Sequence, residues 1–247
     1  MKVSLITVTY NAEEFIEQCI LSVLSQTYTD IEYIIVDGKS TDNTMGIIEK
    51  YRTSITKIIS EPDKGIYDAM NKGIAAATGD IIGILNSDDF FPENDIIETV
   101  AITFGGEIAQ IVYGNLWYIL PTFPNKIVRR WESQSYQKNL FQWGWMPAHT
   151  TFFAKRNLFT DYGNYNISFK TSADYELMLR FIHKFKLKAV HINKVLVIMR
   201  TGGVSNRSLN NRLSASWNDF RAMRHNGLKW PLLAIMLKPL RKISQYF

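Results

Sequence analysis

The sequence predicts an α/β protein with a mainly parallel, doubly wound sheet covered by helices. Two observations lead to this fold class. From the N-terminus to about residue 90, short apolar runs alternate with segments of helical periodicity, which is the pattern of consecutive β-α-β units. The last of these runs, residues 79–85, opens with glycine, is too short for most helices and ends in polar residues, as a buried parallel strand does. A chain of 247 residues, 46% of them apolar, can bury the core of one large domain with a short appendage.

The first half is predicted to contain four strands, over residues 2–8, 31–36, 56–60 and 79–85. Three helices are expected to connect them. The first should begin at Asn11, because Asn11 and Glu14 have the spacing of a capping box and an apolar stripe follows at helical spacing. The other two are expected around residues 45–51 and 66–77.

The second half is predicted to add five strands, over residues 108–113, 116–120, 126–130, 151–153 and 187–199. One helix should start near Thr171, and another should run from residue 206 to a glycine stop at Gly227. In the tail, Pro231 and Pro239 are expected to break the chain into short pieces.

Composition narrows the class of protein. The single cysteine, Cys19, excludes an internal disulfide framework and a cysteine-based metal site. It also suits a reducing cytoplasm. We find neither a signal peptide nor an apolar run long enough to span a bilayer, so we expect a cytoplasmic protein. The net charge of +5 comes from residues 220–247, which carry six basic residues and no acidic one. The rest is close to neutral, which argues against nucleic acid as a partner.

Two adjacent carboxylates, Asp88 and Asp89, follow the last strand of the first half. In open α/β sheets, ligands bind at the carboxyl ends of the strands. No lysine or arginine occurs between Lys72 and Lys126, so the pair lacks a nearby cation in sequence. Mg²⁺ or Mn²⁺ would resolve this, since such ions take one or two carboxylates together with substrate phosphates. The alternative is a solvated turn that only ends the strand, and the pair alone favours neither reading.

The turn after the first strand disfavours two common nucleotide-binding loops. Residues 7–11 contain no glycine, whereas the dinucleotide-binding turn needs G-x-G-x-x-G and the P-loop needs G-x-x-x-x-G-K-[ST]. The same strand also lacks the terminal aspartate that phosphatases of the haloacid dehalogenase type require.

Four motifs, taken in order, resemble family-2 inverting glycosyltransferases with the GT-A fold. Three of them follow predicted strands: Thr9-Tyr10-Asn11, residues 36–42 and residues 86–89. The fourth, residues 61–73, resembles a bacterial surface-polysaccharide branch of that family. Each motif alone is weak, but the ordered set is specific.

The resemblance extends over roughly residues 2–205 and implies a domain organisation. A GT-A domain of the Rossmann-like type would cover residues 1–205. Its nucleotide-sugar half would be residues 1–105 and its acceptor half residues 106–205. Residues 206–247 would form a C-terminal helical extension.

The resemblance also implies a donor site. Asp89 would hold a divalent metal, Mn²⁺ or Mg²⁺, and Asp88 would hold the donor ribose or the metal. Tyr10 would stack on the base and Asp37 would hydrogen-bond to it. Further donor contacts are implied at Thr9, Asp63 and Asn71.

Two positions depart from the family pattern. The usual double aspartate after the second strand is here Asp37-Gly38, and the usual first acid of the D-x-D pattern is Asn86. The first departure bears on the selectivity for UDP, and the second bears on the strength of metal binding.

Asp174 is the expected catalytic base. It opens a predicted helix one turn before Met178, on the apolar face, where a carboxylate is costly unless it is partnered or functional. An inverting displacement needs one base to take the proton of the acceptor hydroxyl. The family places its base in such a motif, usually Glu-Asp and here Ala173-Asp174. The preference of helix starts for acidic residues is the competing explanation.

Three further features are assigned to the diphosphate and the acceptor. Arg200, beside Gly202-Gly203, is expected to close over the donor diphosphate with a flexible loop, although a simple turn explains the glycines equally. Of the aromatic residues between positions 131 and 145, Trp143 and Trp145 are assigned to an acceptor groove and the others to packing. His149 is expected in the acceptor site, and a structural histidine explains it equally.

The tail, residues 228–247, mixes apolar and basic residues. Such a segment suits contact with an anionic membrane surface. Packing back on the domain or on another subunit is the alternative. We favour the membrane, because a lipid-linked acceptor suits an enzyme of this kind.

These features predict a metal-dependent inverting glycosyltransferase that moves a sugar from a nucleotide donor, preferably a UDP-sugar, to a saccharide or lipid-linked acceptor in bacterial polysaccharide or glycan synthesis. It would be cytoplasmic, with peripheral contact to the inner face of the membrane. Two alternatives come from other classes. One is a non-catalytic subunit that binds nucleotide-sugar, and the other is a metal-dependent nucleotidyltransferase or phosphohydrolase.

Overall fold

The computed structural model describes residues 1–106, 108–202 and 209–246. Its strands are β1 Val3–Thr9, β2 Ile31–Asp37, β3 Lys57–Ser60, β4 Ile81–Asn86, β5 Ile111–Leu120, β6 Phe123–Trp131, β7 Phe153–Lys155 and β8 Ala189–Arg200. Its α-helices are α1 Ile16–Leu24, α2 Thr44–Glu49, α3 Ile66–Ala76, α4 Ile96–Gly105, α5 Asn157–Tyr162, α6 Ala173–Met178, α7 Leu209–His225 and α8 Pro231–Ile243. A π-helical turn, Leu179–Lys184, continues α6.

The eight strands form one sheet in the order β3-β2-β1-β4-β7-β5-β6, with β8 also paired to β5. Strands β1 to β4 are parallel to their neighbours within this group. Apolar side chains of β1, β2 and β4 are buried on both faces, as expected for a parallel sheet covered by helices, whereas those of the edge strand β3 are only partly buried. The register places Thr9 opposite Asp37 and Val8 opposite Asn86. The polar residues that follow β1, β2 and β4 therefore meet at one edge, and the predicted α/β class is confirmed.

The second half extends the sheet with both orientations. Strand β7 is antiparallel to β4 and β5, β6 is antiparallel to β5, and β8 is parallel to β5. The prediction of two strands over residues 108–120 was wrong, because β5 continues through Gly114 with irregular register against β8. A Cβ at Gly114 would lie 2.4 Å from the Leu196 side chain, so this glycine permits a close approach of β8 and does not mark a turn.

The predicted start of α1 was also wrong. Asn11 has φ of +48° and its side-chain oxygen accepts a hydrogen bond from Thr41 N at 2.8 Å, while the helix begins at Ile16. Asparagine tolerates this left-handed conformation and bonds readily to loop backbone, so a partner thirty residues away competes with the helix for its side chain. Helix α4 was not among the predicted helices.

Helix α8 runs without a break from Pro231 to Ile243, contrary to the expected short pieces. Pro231 occupies the first helical position, where a missing N–H costs nothing. Pro239 lies inside the helix, which nevertheless continues and packs through the buried residues Ala234 and Lys238. One face of α8 therefore packs on the domain, and the contact of the tail with a membrane stays a prediction. None of the helices in the described part of the chain combines the length and apolar character that crossing a membrane requires.

Candidate functional site

Three buried oxygens at the carboxyl ends of β1 and β4 have no hydrogen-bond partner among the residues that the structure describes. They are Thr9 Oγ1, Asn86 Oδ1 and Asp89 Oδ1. Buried polar atoms in folded proteins are almost always paired, so a group of orphaned oxygens needs an explanation. The two strand ends are tied together here, since Ser87 N donates to Val8 O at 3.2 Å. The edge is therefore built to receive a ligand that supplies hydrogen-bond donors or positive charge.

Asp88 and Asp89 supply negative charge at this edge. Asp89 is fully buried, and its other oxygen, Oδ2, accepts a hydrogen bond from Asn86 Nδ2 at 3.0 Å. Burial and the neighbouring charge of Asp88 raise the pKa of Asp89 well above its usual value. Burial also raises the pKa of Asp88, against the opposing effects of its own backbone and of Arg200. Asp89 is therefore not part of a solvated turn, and its charged form is disfavoured unless a cation binds.

The pair fits a divalent cation. Within residues 1–106, 108–202 and 209–246, no cluster of three or more His, Cys, Asp and Glu side chains surrounds a metal position. The protein would therefore contribute only the carboxylates of Asp88 and Asp89, as is common for Mg²⁺ bound together with water and substrate phosphates. The orphaned Asp89 Oδ1 is the observation in favour of this fit, because a cation would satisfy it.

Arg200 belongs to a strand that contacts the aspartate pair, and not to a loop. It is the last residue of β8, is buried, and its guanidinium donates hydrogen bonds to Asp88 O and to Gln18 Oε1. It also lies between two rings, with Cζ 4.6 Å from the centroid of Phe15 and 5.1 Å from that of Phe90. This differs from the expected loop arginine that closes over a diphosphate. In the structure Arg200 holds the backbone of Asp88 and offsets the negative charge of the pair. Gly203, the second glycine of the expected loop, lies outside the described residues.

Tyr10, Gly38 and Asp63 converge beside the same edge. A Cβ on Gly38 would lie 2.4 Å from Asp63 Oδ2 and 3.4 Å from Tyr10 Cδ2. The carboxylate of Asp63 thus occupies the space into which a side chain at position 38 would project. The ring of Tyr10 is 62% exposed, so an aromatic face and a carboxylate are available together.

Two residues predicted to bind the nucleotide-sugar donor, Asp37 and Asn71, form hydrogen bonds within the protein instead. Asp37 is fully buried and accepts hydrogen bonds from Ser40 N, Ser40 Oγ and Ser60 Oγ. Its carboxylate therefore ties the loop after β2 to the end of β3. Asn71 exchanges two hydrogen bonds with the backbone of Tyr165, at 2.9 and 3.0 Å. It joins α3 to the segment that leads into α6, and both ends of its amide are used there.

Asp174 opens α6, with its carboxylate between two polar side chains. Tyr67 OH donates to Asp174 Oδ1 at 3.0 Å, and His149 Nδ1 lies 3.8 Å from Asp174 Oδ2. Burial lowers the pKa of His149, although Asp174 opposes this shift. A neutral imidazole therefore faces a carboxylate that keeps contact with solvent through 19% of its side chain. Tyr67 was not predicted; the signal available in the sequence was its spacing of four residues from Asn71, on one face of α3.

The two tryptophans assigned to the acceptor lie in different environments. Trp145 is buried against Tyr113, Tyr136 and Phe141, with ring centroids 5.2 to 5.9 Å apart. Trp143 is 53% exposed and lines a surface recess of about 360 Å³. The other residues of that recess come from α8 and are Leu237, Leu240 and Arg241.

Comparison with known sequences identifies a family. The sequence model of glycosyl transferase family 2 matches residues 4–177. A PGL/p-HBAD biosynthesis glycosyltransferase of Mycobacterium bovis is 29% identical over 214 residues, which cover 82% of this chain and 78% of that protein. An uncharacterized glycosyltransferase of Mycobacterium tuberculosis is 30% identical over 232 residues, which cover 93% of this chain and 85% of the relative.

Comparison with solved structures identifies the fold. S. aureus TarS 1–349 in complex with UDP matches with a TM-score of 0.70 and 18% identity, over 99% of this chain and 72% of TarS. The mannosyltransferase PcManGT from Pyrobaculum calidifontis in complex with GDP-Man and Mn²⁺ matches with a TM-score of 0.68 and 17% identity, over 96% of this chain and 69% of the other. At these identities the likeness concerns the fold, which is of the GT-A type.

Proposed function

Because the chain belongs to glycosyl transferase family 2, and is therefore a glycosyltransferase, we propose that it transfers a sugar from a UDP-linked donor, with inversion, to an acceptor hydroxyl. The observation that carries this proposal is the orphaned Asp89 Oδ1 beside a second carboxylate, at the edge where an α/β sheet binds its ligands. Solved relatives in fold that contain UDP, or GDP-Man with Mn²⁺, support a nucleotide-linked donor.

The donor base would bind between Tyr10 and Asp63. The exposed ring of Tyr10 offers a stacking face, and the Asp63 carboxylate can accept a hydrogen bond from the N3–H of uracil. Asp63 would thus supply the carboxylate that the second aspartate of the family pattern provides and that is absent here because position 38 is glycine. Asp37 would act by holding the loop that carries Gly38, since its oxygens are already bonded to Ser40 and Ser60. Thr9 Oγ1 is buried, has no hydrogen-bond partner among the described residues, and would be available to the donor.

The diphosphate would lie over Asp88 and Asp89. These two residues would hold a divalent cation, Mn²⁺ or Mg²⁺, which when bound would offset the charge that develops on the leaving diphosphate. Arg200 would support the site through Asp88 O and through its own charge. Asn71 would act on the donor side only indirectly, by fixing the segment at Tyr165.

Asp174 would act as the base in a single displacement. The acceptor hydroxyl oxygen would attack the anomeric carbon while the bond from that carbon to the diphosphate oxygen breaks. The hydroxyl proton would pass to the Asp174 carboxylate, which Tyr67 OH orients through its hydrogen bond. His149 would contact the acceptor and the other oxygen of Asp174. Trp143, exposed beside α8, would line the acceptor groove, and Trp145 would support it from the core.

The acceptor end of the molecule would contact a membrane. Leu232, Met236, Leu240 and Ile243 follow one another along one face of α8, and each is more than half exposed. Basic residues Lys229 and Arg241 flank this stripe, so an anionic lipid surface would complement both its apolar and its charged parts. A peripheral position on the cytoplasmic face would suit a lipid-linked acceptor in bacterial glycan synthesis.

Calorimetric titration with UDP, in Mn²⁺ and in EDTA, tests the donor site. We expect metal-dependent binding of UDP that exceeds that of GDP and deoxythymidine diphosphate, and loss of that binding in Asp89→Ala. Asp174→Asn should bind UDP normally but lose transfer by about 10²- to 10⁴-fold, which excludes a non-catalytic binding subunit. Absence of binding for all three nucleoside diphosphates would refute the donor site, and preference for GDP would refute the choice of UDP.

A further inference from the structure

A group of basic side chains lies on the acceptor side of the molecule, where no function has yet been assigned to it. A recess of about 160 Å³ between the end of β6 and α8 is lined by three basic residues, Lys238, Arg241 and Lys242, and by one acidic residue, Glu132. Arg129 of β6 adjoins it: Arg129 Nε donates at 2.7 Å to Oε1 of Gln245, which also lines the recess. We call Arg129, Lys238 and Lys242 the basic cluster.

Basic side chains outnumber acidic ones at the recess: Arg129, Lys238, Arg241 and Lys242 face two carboxylates, those of Glu132 and Asp219. Lys238 Nζ pairs with Asp219 Oδ2 at 2.5 Å and lies 3.6 Å from the ring centroid of Tyr175. Arg129 stacks on Tyr118, with Cζ 4.5 Å from the ring centroid. Neither Arg129 nor Lys242 forms an ion pair with a carboxylate in the described part of the chain, and there the ammonium of Lys242 has no hydrogen bond either.

The cationic side chains of the cluster repel one another. Burial first, and then the charges of Lys238 and Arg129, lower the pKa of Lys242 to about 8. Like charges crowded in a recess disfavour the free protein, and a bound anion would relieve the repulsion. The arrangement of these cations in one recess therefore favours an anionic ligand.

The cluster also lies within electrostatic range of the catalytic base. The charges of Lys242, Arg129 and Lys238 lower the pKa of His149, and Asp174 acts in turn on Lys242. An anion bound to the cluster would therefore be near the Asp174–His149 pair, on the side that receives the acceptor.

The neighbouring recess is apolar. Arg241 lines both recesses, and its Nε donates to Trp143 O at 2.8 Å. The other residues of the neighbouring recess are Trp143, Leu237 and Leu240. A ligand with an anionic group in the basic recess would thus be able to place an attached apolar chain in the neighbouring recess.

We propose that Arg129, Lys238 and Lys242 bind a phosphate group of the acceptor, so that the acceptor is a phosphate-bearing saccharide. Guanidinium and ammonium groups together are the usual protein ligands for phosphate, the first by paired hydrogen bonds and the second as a point charge. This inference rests on the proposed transferase function, and it adds the chemical class of the acceptor. The phosphate can come from a lipid carrier or from a free sugar phosphate.

Two matched pairs of probes separate these sources. Geranyl phosphate is compared with geraniol, and glucose 1-phosphate with glucose, by titration into the full chain saturated with UDP and Mg²⁺. We expect a phosphate-bearing probe to bind about tenfold more tightly than its neutral partner. If only geranyl phosphate binds more tightly than its neutral partner, the phosphate belongs to a lipid carrier. If glucose 1-phosphate is preferred over glucose to the same degree, the phosphate belongs to a free sugar phosphate.

Charge substitutions locate the effect. Lys242→Gln should remove most of the preference for phosphate, Lys242→Arg should restore it, and Lys57→Gln, an exposed lysine on β3, should leave it unchanged. The affinity for UDP, measured separately, should not change in Lys242→Gln.

Equal binding of phosphate and neutral probes, or an unchanged preference in Lys242→Gln, would overturn the proposal. A parallel loss of UDP affinity would overturn it too, because the cluster would then serve the donor diphosphate. Failure of UDP to bind the wild-type protein would instead refute the proposed function. That result comes from the titration with UDP alone, so the two failures are distinguishable.

Discussion

Asp89→Asn is expected to stabilise the metal-free protein while it abolishes metal-dependent UDP binding. Asp89 is fully buried, and one of its oxygens has no partner among the described residues. Burial and the charge of Asp88 disfavour its ionised form more than the hydrogen bond from Asn86 and the charge of Arg200 favour it. Asparagine keeps the shape and an acceptor for Asn86 Nδ2, and it removes a buried charge. Relief of one poorly compensated buried group is worth about 1–3 kcal/mol. For a chain of this length that corresponds to an increase in Tm of about 3–10 °C.

The sign of the pH dependence follows from the raised pKa. The pKa of Asp89 in the folded protein exceeds the value of 3.8 that applies to the unfolded chain, so the folded state is favoured by protonation. This stabilisation is complete below the unfolded pKa and is lost as pH rises through the raised folded pKa. The advantage of Asp89→Asn should therefore grow with pH and vanish near about pH 4.

Thermal unfolding in EDTA, followed by circular dichroism across this pH range, measures the difference. Adding UDP with Mn²⁺ should raise the Tm of the wild type and leave that of Asp89→Asn unchanged. Asp161→Asn, at an exposed position of α5, serves as the matched control and should stay within about 0.5 kcal/mol. A variant less stable than the wild type near neutral pH would refute the reasoning, because Asp89 would then be a structural residue.

Three further substitutions test the other parts of the site. Tyr67→Phe should lower kcat by about tenfold with no change in UDP affinity, since it removes only the hydroxyl that orients Asp174. Gly38→Ala should weaken UDP binding by about tenfold, because its Cβ would displace the Asp63 carboxylate from a distance of 2.4 Å. Leu240→Glu should weaken sedimentation with phosphatidylglycerol vesicles several-fold, because it places a negative charge in the exposed stripe of α8.

Each of these has a control of the same chemical type. Tyr51→Phe removes a hydroxyl that donates to Glu17 on the surface, and it should leave kcat unchanged. Gly105→Ala adds a Cβ that meets no atom within 4 Å, and it should leave UDP binding unchanged. Ile102→Glu adds a charge to the exposed face of α4, and it should not affect vesicle binding. If a control variant changes kcat, UDP affinity or vesicle binding as much as its test variant does, the role assigned to the tested residue is wrong.

The features that the sequence predicted correctly depend on local pattern. Alternating apolar runs and helical stripes are read within a few residues, so most strands of the first half and the sheet edge at Asp88 could be placed from the sequence. The register that aligns Thr9 with Asp37 follows from this, because parallel strands end at the same edge. The family and the enzyme class were confirmed for the same reason, since their motifs follow strand ends.

The features that were missed depend on contacts between distant residues. Asn11 binds Thr41 and not the first turn of α1, although its spacing to Glu14 is that of a helix cap. The carboxylate of Asp63 fills the space beside Gly38, which no pattern in the sequence reveals. Pro239 remains helical because α8 is held by burial of Lys238 and Ala234 against the domain. In each case a tertiary partner outweighs a local preference that was read correctly.

Helix α3 connects the segment at Asp63 with Asp174, the residue proposed as the catalytic base. Tyr67 and Asn71 are four residues apart and therefore lie on one face of the helix. Tyr67 reaches Asp174, 107 residues away, and Asn71 reaches the backbone of Tyr165, 94 residues away. The rings of Tyr67 and Tyr165 also pack together, with centroids 5.5 Å apart. Asp63 lies three residues before α3, and Tyr67 lies in its first turn. The N-terminal end of this helix therefore links the carboxylate proposed to bind the uracil with the carboxylate proposed as the catalytic base. Tyr67→Phe should accordingly change kcat while the fold is kept, because it removes the hydrogen bond to Asp174 and keeps the ring packed on Tyr165.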